Sequence, residues 1–95
     1  MQDDYFAWDD DKAARNLRDH GVTFEMAREV FKDAFALDWT DTGHDDHEER
    51  FATLGMAEDR LLFVSYTLRG PRIRIISARP AEPYERRKYH EANQT

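Results

Sequence analysis

Two apolar, β-branched stretches joined by Arg69-Gly70-Pro71 constrain this chain more than any other feature. Leu61 to Leu68 and Ile73 to Arg79 both have the composition of buried strands. A connection that short forces the two to run antiparallel. The second strand is unusual because Arg74 sits inside it while Arg72 and Arg79 bound it. Guanidinium groups are costly to bury unpaired. Such a strand either pairs them with carboxylates or presents them to an anion, and phosphate suits the planar arginine fork best. Strict alternation places Arg72 and Arg74 on the opposite face from Ser77 and Arg79, unless the strand twists or bulges. Arg74, on the face that alternation shares with Ile76 and Ala78, is the favoured phosphate ligand.

The rest of the chain supplies a sheet and three helices. Tyr5 to Trp8 reads as a short aromatic strand. Asp9, Asp10 and Asp11 suit a helix start, and Lys12 to His20 carries Ala13, Leu17 and His20 at helical spacing, with Gly21 as the left-handed stop. Thr23 opens a second helix with Phe24, Ala27, Val30 and Phe31 as its apolar stripe. From Asp33 the period changes to two. Ala34 to Thr40 reads as a strand, residues 41–48 as a polar loop, and Glu49 to Met56 as the next strand. Pro80 stops the arginine-bearing strand, and Pro83 suits the first turn of a closing helix, Tyr84 to Glu91. The expected architecture is an α+β domain spanning 1–95. Its antiparallel meander carries the helices on one face and leaves the arginine face open.

Composition narrows the functions available. With 95 residues, 40% of them hydrophobic and 13% aromatic, the chain can build one compact core and is not disordered. It has no cysteine, which removes disulfides, thiolate chemistry and cysteine-held zinc. With no basic, apolar leader at the amino terminus and no apolar stretch of spanning length, this fits a cytoplasmic protein without membrane contact. The net charge of −6 divides unevenly: residues 1–59 balance to −11 and residues 60–95 to +5. The acidic total argues against non-specific nucleic-acid binding, while the basic third leaves room for a local phosphate site.

Several strings together resemble a known family. They are Trp8-Asp9, Lys12-Ala13, Asn16-Leu17, His20-Gly21-Val22 with Phe24, then Val30-Phe31 with Asp33, and Glu49-Arg50. Val64 with Tyr66-Thr67, Ile73 to Arg79, and Glu85-Arg86 with Tyr89 continue the series. In that order they look like BrnT-type toxins over nearly the whole chain. The resemblance implies a RelE-like ribonuclease toxin of a type II toxin–antitoxin pair, which cuts RNA without metal or other cofactor and inhibits translation. It also implies a BrnA-type antitoxin as protein partner, through whose own DNA-binding part the toxin would meet DNA only indirectly. Two places depart from the family pattern: Arg18-Asp19 stands before His20 where a basic residue is usual, and the 41–49 loop is very acidic.

Metal-free RNA cleavage needs a base for the 2′-hydroxyl, an acid for the leaving 5′-oxygen, and cations for the charge building on phosphorus. Arg50, Arg74 and Arg79 are the candidate cations. His20 is the candidate proton carrier, because histidine changes charge near neutral pH, although a histidine there also suits a helix C-terminus. Glu49 is a candidate base or half of an ion pair with Arg50. Lys12, Arg72 and Arg86 are candidate phosphate contacts. Tyr66 and Tyr89 are candidate base-stacking or proton-donating groups, with a core position the competing reading for Tyr66. His44 and His47 lie among acids without the spacing that enforces a metal site, and no metal centre is expected. The same arginines would also serve a non-catalytic module that docks an acidic partner, or a degenerate toxin kept for antitoxin binding.

Overall fold

The computed structural model describes residues 1–41 and 48–94. In chain order it contains β1 (Phe6–Ala7), α1 (Asp10–His20), α2 (Phe24–Val30), β2 (Leu37–Asp41), β3 (Arg50–Ala57), β4 (Arg60–Arg69), β5 (Arg72–Pro80) and α3 (Pro83–Ala92). The α+β expectation holds, and the helix boundaries follow local chemistry. Asp9 caps α1 by accepting the Lys12 amide at 3.0 Å, and Gly21 ends it at φ 68°. Thr23 caps α2 through the Met26 amide at 3.0 Å. Glu82 and Glu85 form a reciprocal capping box at the start of α3.

The five strands make one sheet in the order β1-β5-β4-β3-β2. Strands β2 to β5 form the expected antiparallel meander. The sheet as a whole is mixed, because β1 pairs parallel to β5 through Phe6–Ile73 and Ala7–Arg74. Parallel pairing needs a long crossover, which the whole intervening chain supplies. The strand expected from Ala34 begins only at Leu37. Asp33 holds the preceding residues in a turn instead: its carboxylate accepts the Phe35 amide at 2.9 Å and its carbonyl accepts the Ala36 amide at 3.1 Å.

The helices do not all lie on one face. Beneath α1 and α2, Val22, Phe24, Ala27 and Val30 meet Leu62, Val64, Ile75 and Ala78 in the main core. The α3 helix packs on the opposite face, where its Tyr89 meets Leu54 and Leu61. On that face α3 is held by the bonds from Arg79 to Glu85 and by the packing of Tyr89. Leu17 is also misassigned by periodicity: it is exposed, and Asn16 is the buried residue of α1.

One irregularity sets the functional geometry. Ser65 pairs with Ser77 but Tyr66 pairs with Ile75, so Ile76 has no partner and forms a bulge in β5. Ile75 and Ala78, three residues apart, consequently share the main core. Side chains that pair across strands share a face. Arg72, Arg74, Ser77 and Arg79 therefore lie together on the face opposite α1 and α2. Strict alternation, which gave Arg74 and Ala78 a common face, fails at this bulge.

Candidate functional site

The candidate site is built on the arginine-bearing face and on the outer edge of β5. Arg74 pairs in register with Thr67 on β4, and Asp41 with Arg50 on the β2–β3 pair at the same end of the sheet. Thr67 is buried, and its hydroxyl donates to the Glu49 carbonyl at 2.6 Å, tying the start of β3 to this end. Glu49, Thr67, Phe51 and Leu68 line an open pocket of about 340 Å3 with Glu48, whose carboxylate holds Arg69 at 2.8 Å. Arg74 is half-buried and, among the described residues, has no hydrogen-bonding or ionic partner. A guanidinium kept on a sheet without a carboxylate is available to an anion.

A second pocket, of about 260 Å3, opens at the bulge. Lys12, Arg15, Asn16, Asp19 and His20 of α1 face Ile76 and Ser77 of β5 across it. The spacing of those five helical residues puts them on one side of α1. Beyond Arg74 the outer edge of β5 has no strand beside it among the described residues, because β1 is only two residues long. Asn16 takes that place: its side-chain amide donates to the Ala78 carbonyl at 2.8 Å and accepts the Ala78 amide at 3.1 Å. A third bond, to the Val22 carbonyl at 2.9 Å, fixes the amide from behind. Ser77 belongs to the arginine face by register and also borders this pocket. His20 and Lys12 are thereby brought to the same strand as Arg74, three residues along it.

Other expected site residues are placed elsewhere. Arg79 is committed to α3, with two hydrogen bonds to the Glu85 carboxylate at 2.8 and 3.0 Å, and its guanidinium lies 4.4 Å from the Phe63 ring centroid. Burial of Glu85 pushes its carboxyl up, but Arg79 and the Glu82 amide outweigh this and hold it below the usual range. Arg72 donates to the Asp3 carbonyl at 2.7 Å and anchors the N-terminal segment. Tyr66 is on the helix-covered face, edge-on to Phe31 and stacked on Phe51, away from Arg74. Burial, then the nearby Asp38, push its hydroxyl up. Tyr89 is buried under α3 and donates to the Asp33 carboxylate at 2.7 Å. Arg86 is exposed on α3. His44 and His47 lie outside the described residues.

Sequence reasoning gave no site role to Thr67, Ser77 or Asn16. The first two are small polar residues inside apolar strands, and only cross-strand register reveals their company. Asn16 did carry a signal, as an amide on the side of a helix that must contact the sheet.

A sequence model of the BrnT family, described as the ribonuclease toxin of a type II toxin–antitoxin system, matches residues 8–85. The chain belongs to the BrnT family. The match includes Arg74 and Thr67, the Asn16 link, and both candidate proton carriers, His20 and Glu49. It ends at Glu85, the partner of Arg79. A type II system pairs each toxin with a protein antitoxin, so a protein partner comes with the family. No individually curated protein matches the chain. Among the described residues, no helix is long and apolar enough to cross a membrane.

Proposed function

We propose that this chain is an active, metal-independent endoribonuclease that slows translation in the cytoplasm and is silenced by a BrnA-type antitoxin. The fold is read as RelE-like. The observation that carries the proposal is Arg74: a partly buried guanidinium on a sheet face, without a carboxylate among the described residues, in a chain of a ribonuclease toxin family. Arg79 does not share this role, because Glu85 occupies both arms of its fork.

In this reading Arg74 binds the scissile phosphate and stabilises the charge that builds on its oxygens during attack. The two candidate proton carriers come from different pockets, Glu49 from the one that Thr67 borders and His20 from the one that Ser77 borders; Thr67 pairs with Arg74, and Ser77 lies three residues along its strand. In-line displacement needs a base and an acid on opposite sides of phosphorus, and these two are assigned to those roles. Glu49 takes the proton of the 2′-hydroxyl as its oxygen bonds to phosphorus. The bond to the 5′-oxygen breaks, and His20, as imidazolium, protonates that oxygen. The products are a 2′,3′-cyclic phosphate and a 5′-hydroxyl. Lys12 and Arg50 add positive charge near the RNA backbone.

The test combines RNA cleavage by purified protein in chelator with growth arrest on induction. Cleavage should persist in chelator and leave cyclic phosphate ends. Arg74→Ala should abolish both cleavage and arrest while the protein stays folded. Glu49→Gln and His20→Asn should each slow cleavage by about 100-fold or more while the protein stays folded. A wild-type chain that neither arrests growth nor cuts RNA would instead be a binding module or a degenerate toxin. Cleavage that stops in chelator would refute metal independence.

A further inference from the structure

Register aligns three rows of side chains across the arginine-bearing face. One holds Asp41 and Arg50, with Thr67 and Arg74 at the same end of the sheet. The row nearest α3 holds Leu37, Leu54, Phe63 and Arg79. Between them run Trp39, Ala52, Ser65 and Ser77. This middle row is small on three strands and ends on an indole; Ala52 is fully buried by its neighbours, while Ser65 and Ser77 are half-buried. Trp39 is 38% exposed, and its ring centroid lies 5.6 Å from that of Phe63 at an interplanar angle of 55°. Phe63 is itself held by the Arg79 guanidinium. The indole is thus braced from one side and open on the other.

A single exposed aromatic residue is ordinary on a protein surface. Trp39 differs because it shares its row with the half-buried Ser65 and Ser77, one register step from Arg74, which has no partner among the described residues. Strand spacing makes this row about 14 Å long, room for a short run of nucleotides laid across the strands. Aromatic faces bind the bases of single-stranded nucleic acid irrespective of sequence, and a guanidinium tracks the backbone.

We propose that Trp39 is a base-stacking position: a nucleobase of single-stranded RNA rests on its indole while the strand crosses above the buried Ala52 towards the half-buried Ser65 and Ser77 and places a phosphate on Arg74. This rests on the ribonuclease reading and adds a substrate class to it. A duplex is not accepted, because its bases are already stacked on one another. Trp39 therefore selects unpaired RNA, and it does so by binding rather than by chemistry.

Intrinsic fluorescence tests the seat directly. The chain has two tryptophans, and Trp8 is buried in the main core at 4% exposure, so Trp39 is the indole within reach of RNA. The isolated chain is titrated with a 2′-O-methyl RNA oligonucleotide, which binds without being cut, and with the same sequence as a duplex. The single strand should quench emission saturably, the duplex should not, and Trp39→Phe should abolish the quench while binding within about threefold of wild type. Trp39→Leu keeps apolar packing on Phe63 but lacks a stacking face, and should bind about tenfold more weakly. An absent quench, or full affinity in Trp39→Leu, in a chain that still cleaves RNA would overturn the seat and leave the nuclease reading intact. A chain that neither binds the oligonucleotide nor cleaves RNA would overturn both.

Discussion

Asn16→Ala tests how α1 is held against the sheet, and its cost follows from three bonds. The mutation removes donations to the carbonyls of Val22 and Ala78, at 2.9 and 2.8 Å, and the acceptor of the Ala78 amide at 3.1 Å. At roughly 1 kcal/mol net for each, the loss is about 3 kcal/mol. Alanine's better helix propensity returns no more than about 0.7 kcal/mol. The balance, roughly 2.5 kcal/mol, corresponds to a fall in Tm of about 10–20 °C for a domain of this size. Thermal and urea unfolding of the isolated chain, followed by circular dichroism, would measure it. Asn16→Asp is the informative companion: it keeps an acceptor for the Ala78 amide but turns a carboxylate towards two carbonyls. At neutral pH it should cost at least as much as alanine. Losses below about 1 kcal/mol for both variants would refute the argument, because water would then be serving the β5 edge as well as Asn16 does. Since α1 also carries Lys12 and His20, the variants should cleave RNA more slowly even well below their Tm.

Arg79→Ala should destabilise the fold by on the order of 3 kcal/mol, because it strands the buried Glu85 carboxylate, whereas Arg74→Ala should change stability by less than about 0.5 kcal/mol. Urea midpoints that reverse this order would contradict the division between structural and phosphate-binding arginine. Burial opposes the charged form of both Asp33 and Glu85, yet hydrogen bonds, with Arg79 for Glu85, leave both carboxyls below their usual range. Their contribution is therefore complete above that range and lost as pH falls through it, and Glu85→Gln should flatten the acid limb of a Tm–pH profile. Burial first, then the bond to Asp33, push the Tyr89 hydroxyl from 10.0 up to about 12. Its contribution is present below pH 10.0 and disappears towards about 12, a loss that Tyr89→Phe should eliminate from alkaline unfolding curves. Gly55→Ala would place a Cβ 2.9 Å from Val30 Cγ1 and 3.0 Å from Ala36 Cβ, forcing α2 off the sheet at about 1–3 kcal/mol; an unchanged Tm would show that α2 yields freely.

Much of the fold was legible because its signals are local. Asp9, Thr23 and Gly21 mark helix ends through bonds made within a few residues. The hairpin at Gly70-Pro71 is equally local, with Gly70 at φ 57° making the turn. Candidate site residues were legible mainly by type. Arg74, His20, Lys12 and Glu49 lie around one stretch of β5 and the β4 residues beside it, but Arg79, Tyr89 and Tyr66 resembled them in sequence while serving the packing. Nothing local distinguishes Arg79 from Arg74; the difference is Glu85, six residues on, which reaches Arg79 only once α3 has crossed to the second face of the sheet.

The amino-acid sequence by itself determined the element order, the antiparallel hairpin and the concentration of arginine on one strand, since propensity, capping and turn chemistry act between near neighbours. Tertiary structure alone decided which face each arginine occupies. The Ile76 bulge moves Arg74 and Ser77 onto a common face, and it exists only as a mismatch in register between β4 and β5. A period of two, read along one strand, carries no record of how many residues its partner sets opposite.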